Sequence, residues 1–172
     1  MSKRQNENLP SDVSQLTASS ADTKVESPDC KALKLDNQLC FPIYKISKTV
    51  INIYNSILAP LSLTYTQYLV MLVLWEHEHL EVREISRLLS LESNTLTPVI
   101  NRLVASGYVE KVKKEDKRRV WVSLTDEGLA LKSKALAVPY QLKNIVNLSD
   151  DEERLLCSLM GKVIGNLENY KK

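Results

Sequence analysis

A thiol, a group of phenols and a block of cations are the side chains of this sequence whose types and spacing could do chemistry. Cys40 stands near the start of a segment with helical apolar spacing, where a helix macrodipole favours an anion. Tyr44 lies four residues on, roughly on the same helical face, and Tyr54 falls near that face some turns later. The thiolate rather than the thiol is the reactive form, so a chemically active cysteine needs its anion stabilised. Phenol hydroxyls can donate to such an anion inside an apolar pocket. The competing reading is that a cysteine in an amphipathic helix is a small core hydrophobe.

The cations gather in one place. Residues 110–119 hold six Lys/Arg (111, 113, 114, 117, 118, 119) and three acids (110, 115, 116), a local +3 in a protein whose 23 Lys+Arg and 21 Asp+Glu sum to +2. A basic hairpin tip on a nearly neutral protein suits phosphate neutralisation or insertion into a narrow minor groove. Just upstream, Ser93, Asn94, Thr95, Thr97, Asn101 and Arg102 form the polar side of an amphipathic segment. Such short side chains can bond phosphates and base edges while letting a helix seat deeply. Taken alone, a Lys/Arg run at a hairpin is more often a solvated turn.

These groups need elements to position them. Residues 1–33 are polar and lack a sustained period, so they read as a disordered extension containing Cys30. From Asp36 to Leu58, Ile43, Ile46, Val50, Ile53 and Ile57 make one helical stripe, which Pro60 ends. Thr64 can cap a second helix to about Trp75, followed by a short helix over about Val82 to Leu89. After a turn at 90–93, a helix over Asn94 to Ser106 carries apolar residues at 96, 99, 100, 103 and 104, with Gly107 as its αL cap. Tyr108 to Lys113 and Arg119 to Leu124 read as a hairpin. Thr125 caps a fifth helix that Pro139 closes, and Ser149 with Glu152 forms a capping box for a last helix to about Tyr170. Its stripe, from Leu155 to Leu167, is wide enough to pack on two surfaces. The fold class is mainly α with a small β-hairpin wing, in the order of a winged helix-turn-helix.

Composition closes off other classes. The apolar share of 44% and charged share of 26% are those of an ordinary soluble globular protein. Four Gly argue against phosphate-cradling loops, and the longest apolar run, Tyr68 to Trp75, is too short to span a bilayer. The polar N-terminus argues against export, and three Cys favour free thiols, so a cytoplasmic location is expected. No Ser/His/Asp constellation, metal-spaced cluster or Walker motif appears, so neither an enzyme, a cofactor nor a metal is expected.

The segments Leu-Asp-Asn-Gln-Leu-Cys-Phe (35–41), Leu-Thr-Tyr-Thr-Gln-Tyr-Leu-Val-Met-Leu-Val-Leu-Trp (63–75), Ser-Asn-Thr-Leu-Thr-Pro (93–98) and Asp-Lys-Arg (116–118) together resemble the MarR family of winged-helix regulators. Within it they resemble the OhrR branch, which senses organic hydroperoxides, over about residues 35 to 140. The resemblance implies a MarR-type domain over 34–172, with a winged-helix core at 62–125 and dimerisation helices at 34–60 and 126–172. It implies a homodimeric repressor on a pseudo-palindromic operator in double-stranded DNA, contacted by Ser93, Asn94, Thr95, Thr97, Asn101, Arg102, Lys117 and Arg118, with Asp116 orienting the wing. It also implies that Cys40 is bonded by Tyr54 and Tyr65, with Tyr44 beside the pocket.

The sequence departs from the family pattern at Pro42, which either delays the helix or kinks it at Cys40, at Glu92 and Asn94 before the recognition helix, and at Lys117, where an acid is common. The resemblance puts the resolving-cysteine position of two-Cys members at Asn144, and Cys157 reads first as packing. The implied chemistry is then of the one-Cys type: Cys40 becomes a sulfenic acid and afterwards a mixed disulfide with a low-molecular-weight thiol. A disulfide to Cys157 or Cys30 stays open. So do a regulator responding to a noncovalent ligand or another oxidant, and a thiol peroxidase. His77 and His79 read as solvated loop histidines, and Trp75 and Trp121 as packing.

Overall fold

The computed structural model describes residues 31–113 and 119–170. Cys30, nearly all of the expected N-terminal extension, and the wing-tip residues Asp116, Lys117 and Arg118 lie outside the described residues. The protein falls into two units, the first ending at Ile43 and the second starting at Tyr44.

In the first unit, the described end of the expected extension and the residues just after it form turns. The Lys34 N–H donates to the Lys31 carbonyl, and a 3₁₀ turn covers Leu35–Asn37. The Asn37 amide donates to the Lys31 carbonyl at 2.6 Å, and the Gln38 amide donates to the carbonyls of Ala32 and Lys34. Gln38 itself is extended (φ −87, ψ 118), so a helix cannot run through it from Asp36. Helix α1 (Cys40–Leu58) therefore starts later than its apolar spacing suggests. That start resolves the difficulty of Pro42. As the third residue of the helix, it lacks only an N–H that has no intrahelical acceptor there.

The second unit is built around helix α2 (Tyr65–His77), which buries Gln67, Tyr68, Val70, Met71, Leu74 and Trp75. A helix apolar on nearly every side belongs in the middle of a core. Its start is a full capping box: the Thr64 N–H donates to Gln67 Oε1 at 2.8 Å and the Gln67 N–H donates to Thr64 Oγ1 at 3.4 Å. Around it pack α3 (Val82–Leu89) and α4 (Ser93–Ala105), through Ile85, Leu96, Ile100 and Leu103.

Past the helices, Gly107 takes φ +75 and turns the backbone into the sheet. Strands β2 (Val109–Lys113) and β3 (Val120–Leu124) pair antiparallel, with Val109 opposite Leu124 and Lys113 opposite Val120. A third strand, β1 (His79–Glu81), pairs with the other edge of β3, giving the order β1-β3-β2. The histidine pair is therefore not a loop: His77 ends α2, and His79 opens a strand, its ring 6.0 Å from that of Trp121.

Beyond the sheet, the structure differs from expectation in one respect. Thr125 caps α5 (Asp126–Ala135), accepting from the Gly128 N–H at 3.1 Å and donating to the Gly107 carbonyl at 2.5 Å. Pro139 does not close that helix. The helix stops at Ala135, and Pro139 sits in the first turn of a separate helix, α6 (Ala137–Val146). A proline at that position cannot donate to the Ala135 carbonyl, so the break falls just ahead of it. Helix α7 (Asp150–Tyr170) starts at the expected Ser149–Glu152 box, where the Ser149 N–H donates to the Glu152 carboxylate at 2.9 Å. Those bonds hold the Glu152 carboxyl below the usual carboxylate range.

Candidate functional site

Helix α4 and the sheet form one candidate surface. Ser93, Asn94, Thr95, Thr97, Asn101 and Arg102 are all exposed, while Leu96, Ile100 and Leu103 of the same helix are buried, so the polar face is open to a partner. At the helix start, Glu92 makes no side-chain cap. A first turn whose N–H groups carry no capping side chain is a ready site for a phosphate oxygen. Thr97 donates its hydroxyl proton to the Ser93 carbonyl at 2.7 Å. Pro98 inside the helix removes one backbone bond, a departure the apolar pattern alone does not reveal.

The sheet reaches this helix through side chains that sequence reading did not pair. Lys111 of β2 donates from Nζ to Asn101 Oδ1 at 2.6 Å. Arg119, beside β3, lies 3.8 Å from the carboxylate of Glu81 in β1. A cleft of about 210 Å³ between α3, α4 and the sheet is lined by Glu81, Arg83, Thr97 and Lys111 among others. Nothing local in the sequence marks the Arg119–Glu81 pair, because α3, α4 and β2 all intervene between β1 and its partner strand β3.

The phenols form a second candidate site. The rings of Tyr54 in α1 and Tyr65 in α2 lie 4.6 Å apart, Tyr54 is 5.8 Å from Tyr68, and Tyr68 meets Trp75 edge-on at 6.2 Å. Tyr68 is the member of this cluster that sequence reading missed; its spacing of three from Tyr65 was the available signal. Burial, with Tyr65 alongside, pushes the Tyr54 phenol above its ordinary value. Burial, then Tyr54 and Tyr65, does the same at Tyr68. Both are therefore O–H donors throughout the physiological range. Tyr44 stands apart from this group, exposed to solvent.

Cys40 is exposed and is the first residue of α1. Its sulfur is thus carried at the positive end of a 19-residue helix dipole. Cys157 is also exposed, although its position on the apolar side of α7 suggested packing. The reason is that α7 buries none of its residues within this protomer. Trp75 is a core residue as expected, and its indole N–H donates to the Gly128 carbonyl at 2.9 Å, tying α2 to α5.

A short helix, a turn, a polar-faced helix and an antiparallel hairpin define a winged helix-turn-helix, the class that lays its second helix in a DNA groove. Comparison with known proteins narrows the class. The family model for the transcriptional regulator SarA/Rot matches residues 52–135. The protein is 38% identical over 136 residues to the organic hydroperoxide resistance transcriptional regulator of Bacillus subtilis, covering 78% of this sequence and 92% of that one. It is 46% identical over 123 residues to the HTH-type transcriptional regulator TtmR of Methylorubrum extorquens, covering 71% of this sequence but only 63% of that protein's length. The structure of reduced AbfR bound to DNA superposes with a TM-score of 0.68 at 33% identity, over 81% of this protein and 98% of that one. The protein belongs to the MarR family of winged helix-turn-helix transcriptional regulators, in its OhrR-like branch. These relatives are regulators rather than enzymes. Among the described residues no single helix is long and apolar enough to cross a membrane.

Proposed function

We propose that this protein is a homodimeric DNA-binding repressor which an organic hydroperoxide releases from its operator by oxidising Cys40. The observation that carries the reading is an exposed thiol on the opening residue of α1, in a sequence that matches 92% of the length of a Bacillus subtilis regulator named for organic hydroperoxide resistance. The Cys40 thiolate attacks the peroxide, an S–O bond forms as the O–O bond breaks, and the alkoxide leaves as an alcohol after taking a proton. The resulting sulfenic acid condenses with a low-molecular-weight thiol, releasing water and leaving a mixed disulfide. Tyr54 and Tyr65 are the phenols that the family resemblance assigns to the thiolate, and the high phenol value of Tyr54 keeps it a donor. The family resemblance puts Tyr44 beside that pocket as well, although it is exposed in the single protomer. Bulk on Cys40 displaces those contacts and moves the dimer out of its DNA-binding geometry.

On the DNA side, Ser93, Asn94, Thr95, Thr97, Asn101 and Arg102 meet the major groove, supported by their exposure on α4. Lys117 and Arg118 of the wing meet the backbone or minor groove, with Asp116 orienting them. The apolar stripe of α7, exposed in the single protomer, supports pairing of two copies through their terminal helices.

A gel shift on a pseudo-palindromic site upstream of the gene, with and without an organic hydroperoxide, tests this. Wild type releases the DNA and Cys40→Ser does not. Release by the serine variant overturns the Cys40 mechanism. That outcome would favour a noncovalent ligand, for which the groove of about 480 Å³ bordered by Tyr68, Leu72, Trp75 and Tyr140 is the candidate site.

A further inference from the structure

We infer that Lys111 is a positioning residue for base recognition: it holds the Asn101 amide so that only hydrogen-bond donors face the DNA, selecting a guanine edge over adenine. This rests on the DNA-binding reading above and specifies what α4 reads there. The ammonium of Lys111 donates to Asn101 Oδ1 at 2.6 Å, a bond between side chains ten residues apart, on two different elements. Both residues are exposed on the surface that carries the polar face of α4.

The position of the ammonium is set by the sheet. Lys111 pairs with Val122 in the β2–β3 ladder, and Val109 and Val122 are buried, so the strand is anchored on both its backbone and its inner face. The Asn101 backbone is likewise fixed, between the buried Ile100 and Leu103. What remains free is the amide rotation, and the lysine fixes that.

An ammonium has only donors, so the amide must turn its oxygen toward Lys111 and its NH₂ outward. An unrestrained asparagine recognises adenine by accepting from N6 while donating to N7. With Oδ1 turned toward Lys111, the acceptor half of that pair no longer faces the base. The outward edge is then the Asn101 NH₂, which carries donors alone. Guanine presents two acceptors, O6 and N7, in the major groove, and it is the base this edge fits. Thr97, one turn earlier, complements it, since its proton is committed to Ser93 and its oxygen is left as an acceptor.

The test is selection of duplexes from a randomised library by the full-length protein, followed by sequencing of the bound fraction. Wild type should enrich guanine at one position per half-site, and Asn101→Ala should lose all preference there. Lys111→Met should move the preference at that position from guanine toward adenine by about tenfold, the scale of one bidentate base contact. Lys111→Arg should retain guanine, and the double variant should match Asn101→Ala. Thermal melting of the four variants should match wild type, since neither side chain packs in the core. The inference is overturned if Lys111→Met weakens binding evenly across sequences with guanine kept, as loss of a phosphate contact would. It is equally overturned if Asn101→Ala leaves the selected sequence unchanged. A wild-type protein that enriches no sequence and retains no duplex would instead overturn the DNA-binding reading itself.

Discussion

Helices α2 and α7 use apolar side chains in opposite ways. The 13 residues of α2 bury Tyr68, Val70, Met71, Leu74 and Trp75, whereas the 21 residues of α7 bury none. Leu155, Leu159, Ile164 and Leu167 of α7 are each more than half exposed. The difference is not one of local design. Both helices have complete capping boxes, Thr64 with Gln67 and Ser149 with Glu152. Lys143 further ties the start of α7 through Asp150 at 2.6 Å and Glu153 at 3.3 Å. Caps and solvent-screened surface ion pairs contribute far less than burial of a leucine row. The winged-helix core is thus complete within one protomer, while α7 has a well-formed start and a stripe that its own protomer leaves mostly uncovered. That asymmetry is what a second copy would remove.

The largest effect should come from charging the uncovered stripe. Leu159→Asp is expected to convert the dimer to monomer by sedimentation, with operator affinity falling on the order of a hundredfold or more as the two half-sites lose their linkage. The near-ultraviolet circular dichroism of Trp75, in the α2 core, should hold. If wild type already sediments as a monomer that binds its operator, the contrast between the two helices loses its functional meaning.

A second perturbation probes the side that is already closed. A Cβ on Gly128 would lie 1.9 Å from the Tyr108 carbonyl oxygen, a backbone atom that cannot swing aside. Gly128→Ala must therefore push α5 away from the α4–β2 corner, breaking the register that lets Gly128 accept from the Trp75 indole. Overpacking of this kind costs roughly 1–3 kcal/mol, read as a lower urea midpoint at unchanged slope. Dimerisation should survive, the reverse of the Leu159→Asp outcome. An unshifted midpoint would mean that this corner is looser than its geometry implies.

The two regions also differ in how much of them can be read from sequence. Helix α3 falls where the spacing of Ile85, Leu88 and Leu89 places it, and Thr125 and Ser149 cap where their side chains predict, because each signal is confined to one turn. Errors arise where distant partners decide. The start of α1 moves from Asp36 to Cys40 because Asn37 and Gln38 direct their amides to upstream carbonyls. Strand β1 is only three residues long and exists because β3 offers it an edge. The Lys111–Asn101 and Arg119–Glu81 pairs depend on that same sheet. Of the phenols, Tyr54 and Tyr65 come together with their rings 4.6 Å apart, while Tyr44 remains on the surface. Pro139 is a further case: its effect is felt upstream, where a helix end at Ala135 is not marked by any residue of its own.

The smallest expected effect concerns the aromatic edge of the core and needs the sign of a titration. Burial first, and Tyr65 second, raise the Tyr54 phenol above its ordinary value, and Tyr68 shifts the same way. Between the unfolded value of about 10 and the higher folded value, the folded protein keeps a proton that the unfolded form has lost. Stability from this source is therefore complete below about pH 10 and declines as pH rises through the folded value. Tyr54→Phe removes that titration, so chemical denaturation between about pH 9 and 11 should show a shallower loss of stability than wild type. The same substitution on top of Tyr68→Phe should flatten it further, because each phenol is raised partly by desolvation of its own. A slope identical to wild type in both variants would mean that water reaches these phenols as freely as in the unfolded form. The Tyr54 end of the core would then be as open as α7, and the contrast between the two regions would have to be drawn closer to Trp75.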